Sequence, residues 1–323
     1  MKSRRYFLKE SALAATALAI AQPLKIFAGK GSAFSFLNGN NSITLLHTND
    51  IHNHLSPVTF GVLDGLGGFE KTLSIISEIK NKKSNVLLLD AGDIFSGNIR
   101  HEKEHTATLQ MMRLAGYDAV LLGNRDYQAG TDYLHQQWQK NNTSIITSNY
   151  SYSDSRLNSL HQPYKIMYKG NIKIGIIGAG INMKGLVGAD VNGKIQYINP
   201  VKELSSIATM LKKEKKCQLV ICLSHLGYKN KKAIDDITFA KQSKDIDIII
   251  GGHSHTFMQA PCVVLNKQQE EVIINHAGYS GIALGNMTIS FDDDGKKNMV
   301  NFDNLMVGTK DNKWYTKETA VSS

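Results

Sequence analysis

Apolar residues recur in this chain with two spacings, and their alternation constrains the fold. Near-continuous apolar runs at Ile43–His47, Val86–Leu89, Ala119–Leu122, Ile145–Ser148, Ile172–Ile177, Leu219–Leu223, Ile246–Ile250 and Val272–Asn275 predict strands. Such runs fit strands covered on both faces. Helical spacing lies between them. Over Gly67–Lys80 it puts Phe69, Leu73, Ile76 and Ile79 on one side, and it recurs at Thr106–Ala115, Tyr133–Lys140, Pro200–Glu214 and Lys231–Lys241. Strand–helix alternation predicts a layered α/β domain. No internal repeat, low-complexity tract or second composition block interrupts it. The expectation is therefore a single domain over residues 43–310, preceded by a Gly/Ser/Asn-rich tether at 29–42. From Asn301 onward the chain reads as a weak strand, with a tail at 311–323.

The first residues carry a different signal. Ser3-Arg4-Arg5-Tyr6-Phe7-Leu8-Lys9, followed by apolar Ser11 to Ala21, is a twin-arginine export motif. Cleavage is expected after Ala21 or Ala28, so residues 1–28 form a leader and the mature chain is expected in the periplasm. The apolar stretch is too short for the roughly 20 residues that span a bilayer, so no integral membrane segment is expected. Of the formal net charge of +9, Lys2, Arg4, Arg5 and Lys9 against Glu10 account for +3, leaving +6. The dense basic clusters, Lys212-Lys213-Glu214-Lys215-Lys216 and Lys229-Asn230-Lys231-Lys232, are short and read as solvated helix ends or loops. Nucleic acid is therefore not an expected partner. Three cysteines cannot form a complete disulfide framework. Cys217 and Cys222 bracket a strand and are expected on opposite faces as buried free thiols.

Candidate chemistry concentrates where the apolar runs end. Five segments do so in metal-ligand residues: Asn49-Asp50-Ile51-His52-Asn53-His54, Ala91-Gly92-Asp93, Gly123-Asn124-Arg125-Asp126, Ser224-His225-Leu226-Gly227 and Gly251-Gly252-His253-Ser254-His255. Open α/β sheets place active sites at strand ends. Asp50 and His52 stand at i and i+2, a spacing that on a strand turns both to one side. Asp93 follows Gly92 in a tight turn, and Asn124 offers a carbonyl oxygen. His225, His253 and His255 each follow a strand. A lone histidine would read as an ordinary buried or surface side chain, but seven ligand-type residues at several strand ends do not. Two aspartates, an asparagine and four histidines, with one aspartate bridging, suit two divalent transition metal ions of Zn, Mn or Fe type better than Mg or Ca.

With Leu46-His47-Thr48-Asn49-Asp50, Leu88-Leu89-Asp90-Ala91-Gly92-Asp93, Ile250-Gly251-Gly252-His253-Ser254-His255 and Ala277-Gly278-Tyr279-Ser280-Gly281, the chain resembles the calcineurin-like metallophosphoesterases, specifically the catalytic domain of bacterial periplasmic 5′-nucleotidases. The resemblance runs from about Ile43 to Ile289. It implies a four-layer α/β/β/α sandwich and phosphoric ester hydrolysis at two ions about 3.5–4 Å apart, which activate water and hold the phosphoryl oxygens. It also implies that Asp50, His52, Asp93 and His255 hold the first ion, and that Asp93, Asn124, His225 and His253 hold the second.

Two departures from the family bear on function. The family pattern Gly-Asn-His-Glu-Phe-Asp stands here as Gly123-Asn124-Arg125-Asp126-Tyr127-Gln128, so Arg125 and Gln128 replace the family's catalytic histidine and aspartate. A general acid contributes roughly 10²–10⁴-fold. Arginine does not supply a proton near neutral pH, but it holds phosphoryl oxygens through charged hydrogen bonds. Arg125 is thus read as a phosphate clamp beside Asn124, and an idle arginine in a non-catalytic, metal-binding subunit is the alternative. Second, nucleotidases of this type carry a C-terminal domain that binds the nucleoside, and the present sequence ends at Ser323 without it. The expected substrate is therefore a small phosphoester, or a separate chain carries that domain. Among lesser candidates, His54 is expected to face the phosphate or act behind the ligands. Asp90 and Asp126 are expected to orient ligand histidines, and Gln128 and His276 to line the rim. Asn149 lies near the site in the family, Tyr127 is expected to pack, and His101, His105, His135 and His161 are expected at the surface.

Overall fold

Side chains alternate across each strand, and this sorts the apolar residues into three layers of core. In the computed structural model, which describes residues 41–59, 61–97, 99–230, 233–309 and 312–313, the described residues belong to one compact unit. The chain runs through β1 (Ser42–Thr48), β2 (Val86–Asp90), β3 (Ala119–Val120), β4 (Ser144–Ile146), β5 (Tyr150–Tyr152), β6 (His161–Gln162), β7 (Tyr164–Lys169) and β8 (Ile172–Ala179). It continues with β9 (Ile195–Tyr197), β10 (Leu219–Ser224), β11 (Ile248–Gly251), β12 (Cys262–Leu265), β13 (Glu271–His276), β14 (Ala283–Phe291), β15 (Lys297–Phe302) and β16 (Leu305–Met306). One sheet has the order β15-β14-β1-β2-β3-β4-β6, with β16 beside β14. The second has the order β12-β13-β11-β10-β8-β7, and β5 pairs β9 in a separate ribbon. The strands β1 to β4 are mutually parallel, as are β8, β10, β11 and β13.

Ile43, Leu45, Leu87 and Leu89 face Ile174, Ile176, Leu219 and Ile221 between the sheets. Their strand neighbours Leu46, Leu88 and Val120 turn the other way. They pack on Phe69 and Ile76 of the helix Phe69–Lys82 and on Leu109 and Met112 of the helix Glu102–Ala115. Beyond the second sheet, Val220, Cys222 and Ile249 meet Leu204, Ala208 and Leu211 of the helix Pro200–Lys213 and Phe239 of the helix Asp236–Gln242. Helix, sheet, sheet and helix stack in that order, so the expected four-layer sandwich is present. Each fully buried Leu or Ile stabilises it by roughly 1.5–3 kcal/mol. Among the described residues no helix is long and apolar enough to cross a membrane.

Several boundaries differ from expectation. The helix read from Thr106 begins at Glu102. The helix read over Lys231–Lys241 starts at Asp236, where Asp235 caps it by accepting the N–H of Thr238; residues 231 and 232 lie outside the described set. Cys217 and Cys222 are buried and unbridged, but they enter the same outer core. Cys217 precedes β10, so strand alternation does not govern its direction. His105 is fully buried and bonds the Tyr133 hydroxyl, and His161 is half-buried against Tyr127, Tyr152 and Thr147. Neither is the surface residue expected. The predicted leader, the tether before residue 41 and most of the 311–323 tail lie outside the described residues.

Candidate metal centre

The parallel strands of both sheets end at one edge, and the loops that leave them converge. Asp50 and His52 follow β1, Asp93 follows β2, Asn124 comes after β3, His225 directly follows β10, and His253 and His255 follow β11. Five of these seven have left-handed backbone: Asp50, His52, Asp93, His253 and His255, with φ between 52° and 70°. Non-glycine residues hold that conformation only where surrounding contacts enforce it, and such strain gathers at functional sites. The contacts here are backbone hydrogen bonds between loops, Asp50 N–H to Gly92 O (2.8 Å) and His52 N–H to Asp93 O (3.0 Å). Both Asp50 and His52 lie beyond the strand, so left-handed loop backbone and not strand alternation sets their direction.

The ligand atoms fall into two groups of three, Asp50–His52–His255 and Asp93–His225–His253, each within 4.8 Å of one another. Asp93 faces both. Its Oδ1 lies 3.3 Å from His225 Nε2 and its Oδ2 lies 4.0 Å from His52 Nε2, the arrangement a bridging carboxylate requires. Asp50 Oδ1 lies 3.5 Å from His255 Nε2 and 3.7 Å from His52 Nε2. Asn124 Oδ1 and His225 Nε2 are buried without a hydrogen-bond partner. Buried polar atoms are rarely left so, and these two are the atoms that would bind an ion. The donor set therefore fits two divalent cations. Close backbone approach is required: a Cβ on Gly123 would stand 2.3 Å from Asp93 Oδ1 and 2.5 Å from His225 Nε2.

Backbone carbonyls orient the histidines. His52 Nδ1 bonds Phe95 O at 3.2 Å, and His225 Nδ1 bonds Ala91 O at 2.7 Å. Such bonds turn the opposite nitrogen towards a metal. Burial disfavours charge on Asp50, but hydrogen bonding to His255 and the charges of His225, His255 and His52 outweigh it, holding the carboxyl below the usual carboxylate range. Burial likewise opposes charge on His225, yet Asp93 and then Asp50 raise it to about 10. Burial and then the charge of His225 lower His253 to about 4.

Asp90 and Asp126 do not touch a histidine, contrary to expectation. Asp90 accepts from the Thr48 hydroxyl and the Gly92 N–H, and burial first raises its carboxyl to about 7. Asp126 accepts the N–H groups of Asp93 (3.0 Å), Phe95 (2.8 Å) and Gly123 (2.8 Å), tying two ligand loops together. Buried carboxylates here shape backbone. His276 is buried and bonds Asp236, so it is not at the rim. His54 is exposed, close enough to His52 and His255 for their charges to add to burial in lowering it. Asn149 is buried and ties Gly180 to Ile198. Tyr127 packs in the core as expected.

Arg125 is exposed, its N–H donating to Asp93 Oδ1 at 2.7 Å. Its Nη1 donates to Gln128 Oε1 (3.3 Å), and Gln128 Nε2 donates to Leu186 O (2.9 Å). Two contributors lacked a role in the sequence reading. Asn49 Nδ2 donates to Asp50 Oδ2 (2.8 Å) while its Oδ1 accepts the Ala277 N–H, and its place beside Asp50 was the available signal. Tyr279 stacks on His255, ring centres 4.9 Å apart, which no local spacing shows.

The family model described as calcineurin-like phosphoesterase matches residues 43–257. A 5′-nucleotidase of Vibrio cholerae serotype O1 is 30% identical over 235 residues, covering 69% of this chain and 42% of that protein. The trifunctional nucleotide phosphoesterase YfkN of Bacillus subtilis is 28% identical over 285 residues, covering 78% of this chain and 18% of that protein. The crystal structure of a 5′-nucleotidase precursor from Thermus thermophilus superposes with a TM-score of 0.73 at 26% identity, covering 82% of this chain and 54% of that one. The chain spans about half the length, or less, of such curated relatives. Layered fold, convergent ligand loops and sequence agree, and the chain belongs to the calcineurin-like phosphoesterase family.

Proposed function

We propose that this chain is an exported, two-metal phosphoric ester hydrolase of 5′-nucleotidase type in which Arg125 replaces the general acid. The observation that carries the reading is the pair of triads, with Asp93 of one lying 4.0 Å from His52 of the other and with Asn124 Oδ1 and His225 Nε2 buried and unpartnered. Divalent ions bound there would supply an activated water and draw charge from the phosphoryl oxygens. Asp50, His52 and His255 would hold the first ion, Asn124, His225 and His253 the second, and Asp93 both. Asn49 and the carbonyls of Phe95 and Ala91 fix the direction of these ligands. Arg125, braced by Gln128, would take a non-bridging phosphoryl oxygen in charged hydrogen bonds. Without a proton donor at that position, turnover should follow the leaving group, with p-nitrophenyl phosphate cleaved faster than AMP.

The test is metal analysis and phosphatase assay of the purified chain supplied with Mn, Zn or Co, on a phosphomonoester and phosphodiester panel. Fewer than one tightly held ion per molecule would sink the metal reading. Equal rates on both substrates, with Arg125→Ala unaffected, would remove the clamp. The second reading, a metal-binding subunit without turnover, draws on the Arg125–Gln128 contact, which offers no acid; hydrolysis of any substrate in the panel eliminates it. Export rests on Arg4 and Arg5, and a chain with both changed to lysine should stay in the cytoplasm.

A further inference from the structure

Beneath the loops that carry His225 and His253 lies a polar network the reaction does not use. Ser224, Asp236 and His276 are each fully buried, at 0% exposure. Ser224 Oγ donates to Asp236 Oδ1, and His276 Nε2 donates to Asp236 Oδ2 at 2.7 Å. The arrangement follows from register. Ser224 of β10 pairs Gly251 of β11, and Gly251 pairs His276 of β13, so the three form one row across adjacent parallel strands. The middle position must lack a side chain. A Cβ on Gly251 would lie 2.4 Å from Asp236 Oδ2 and 2.0 Å from His276 Nε2, so the carboxylate sits over the glycine between its two donors.

The row touches the second-ion ligands from both sides. Ser224 Oγ accepts the Leu226 N–H at 3.2 Å, and the Asp236 N–H donates to Gly227 O at 2.9 Å, so the turn bearing His225 is tied to Asp236 at two points. Gly251 is followed by Gly252 and His253, and the Gly252 N–H donates to Ser224 O at 2.9 Å. A buried polar cluster is a weak source of stability compared with apolar packing of the same volume. Its position under both ligand loops gives it another use. We propose that Ser224, Asp236 and His276 are positioning residues for the second ion, fixing His225 and His253 relative to each other, while the three side chains themselves bond none of Asp50, His52 and His255. This rests on reading those histidines as ligands.

Calorimetric titration of metal-free protein with Mn, with elemental stoichiometry, tests it. Wild type should take two ions per molecule. His276→Leu should keep one at wild-type affinity and bind the other about 10–100-fold more weakly, the usual cost of removing a residue that orients a ligand. His276→Gln, whose amide N–H reaches the same carboxylate, should return that affinity to within a few-fold, which a purely structural role would not produce. Ser224→Ala should weaken the same ion and spare the other. If wild type binds no second ion, the two-ion assignment itself falls, and with it this proposal. If wild type binds two and His276→Leu binds both as tightly, or if Gln fails to restore what Leu removes, the positioning role is overturned. Should His276→Leu not fold, Ser224→Ala decides, and unchanged affinity for both ions rejects the proposal.

Discussion

The two triads use similar ligands at different depths. In one, Asp93 and His225 are buried and only His253 is partly open; in the other, Asp50 is buried, His52 is half-buried and the His255 side chain is 41% exposed. Both halves draw on both sheets, the deep one on β2, β3, β10 and β11 and the shallow one on β1 and β11, so it is depth and not strand origin that separates them. The shallow half opens to solvent, beside His54 and Tyr279. Depth therefore separates the two: one half belongs to the fold's interior, the other to its solvent-facing mouth.

The comparison can be broken in order of expected effect. Asp93→Ala removes the residue both halves share and should lower phosphatase activity by about 10³-fold or more, with both ions lost on elemental assay. Loss of only one ion would show that the halves are independent. Next, Arg125→His with Gln128→Asp restores an acid beside the deep half and should raise turnover of alkyl phosphates by about 10²-fold. An unchanged rate would mean that Arg125 is not what limits this substrate class. His225→Ala, which strands buried Asp93, should cost the metal-free fold about 3 kcal/mol in urea unfolding, whereas His255→Ala, a 41% exposed partner that leaves Asp50 beside His52 and His225, should cost about 1 kcal/mol or less. Equal losses would erase the distinction in depth.

A pH control lies outside both triads. Burial, with His276 adding, depresses His47 to about 3. An unfolded histidine titrates near 6.5, so between pH 6.5 and 3 the unfolded chain binds the extra proton. Stability from this group is complete above about 6.5 and is lost as pH falls towards 3, on the order of a few kcal/mol in all. In His47→Gln the slope of unfolding free energy against pH across that window should flatten; an unaltered slope would move the acid sensitivity to other groups.

Much of the centre was legible because its chemistry sits where apolar runs stop. Asp93, Asn124, His225, His253 and His255 needed only residue type and strand ends. The route from Asp50 to His52 was not legible, since left-handed backbone is imposed by Gly92 and Asp93, far along the chain. Edge strands escaped for a related reason: β7 is half-exposed and mixes lysine and tyrosine with its apolar positions, so its pattern is weak until β8 pairs with it. His105 and His161 looked like surface residues because the tyrosines that satisfy them come from other elements. Asp126 was assigned the wrong partner because a carboxylate near histidines is read as serving them, when the N–H groups of three loop residues were the stronger demand.

Asp126 has a wider consequence. It pins the main chain of Gly123, Asp93 and Phe95 on one side of position 125, while the neighbouring Asn124 Oδ1 is buried without a hydrogen-bond partner. The side chain of residue 125 carries none of that burden, and Gln128 braces it from outside the cradle. Side chains at 125 and 128 can therefore be exchanged without removing the backbone hydrogen bonds that frame the candidate ligands.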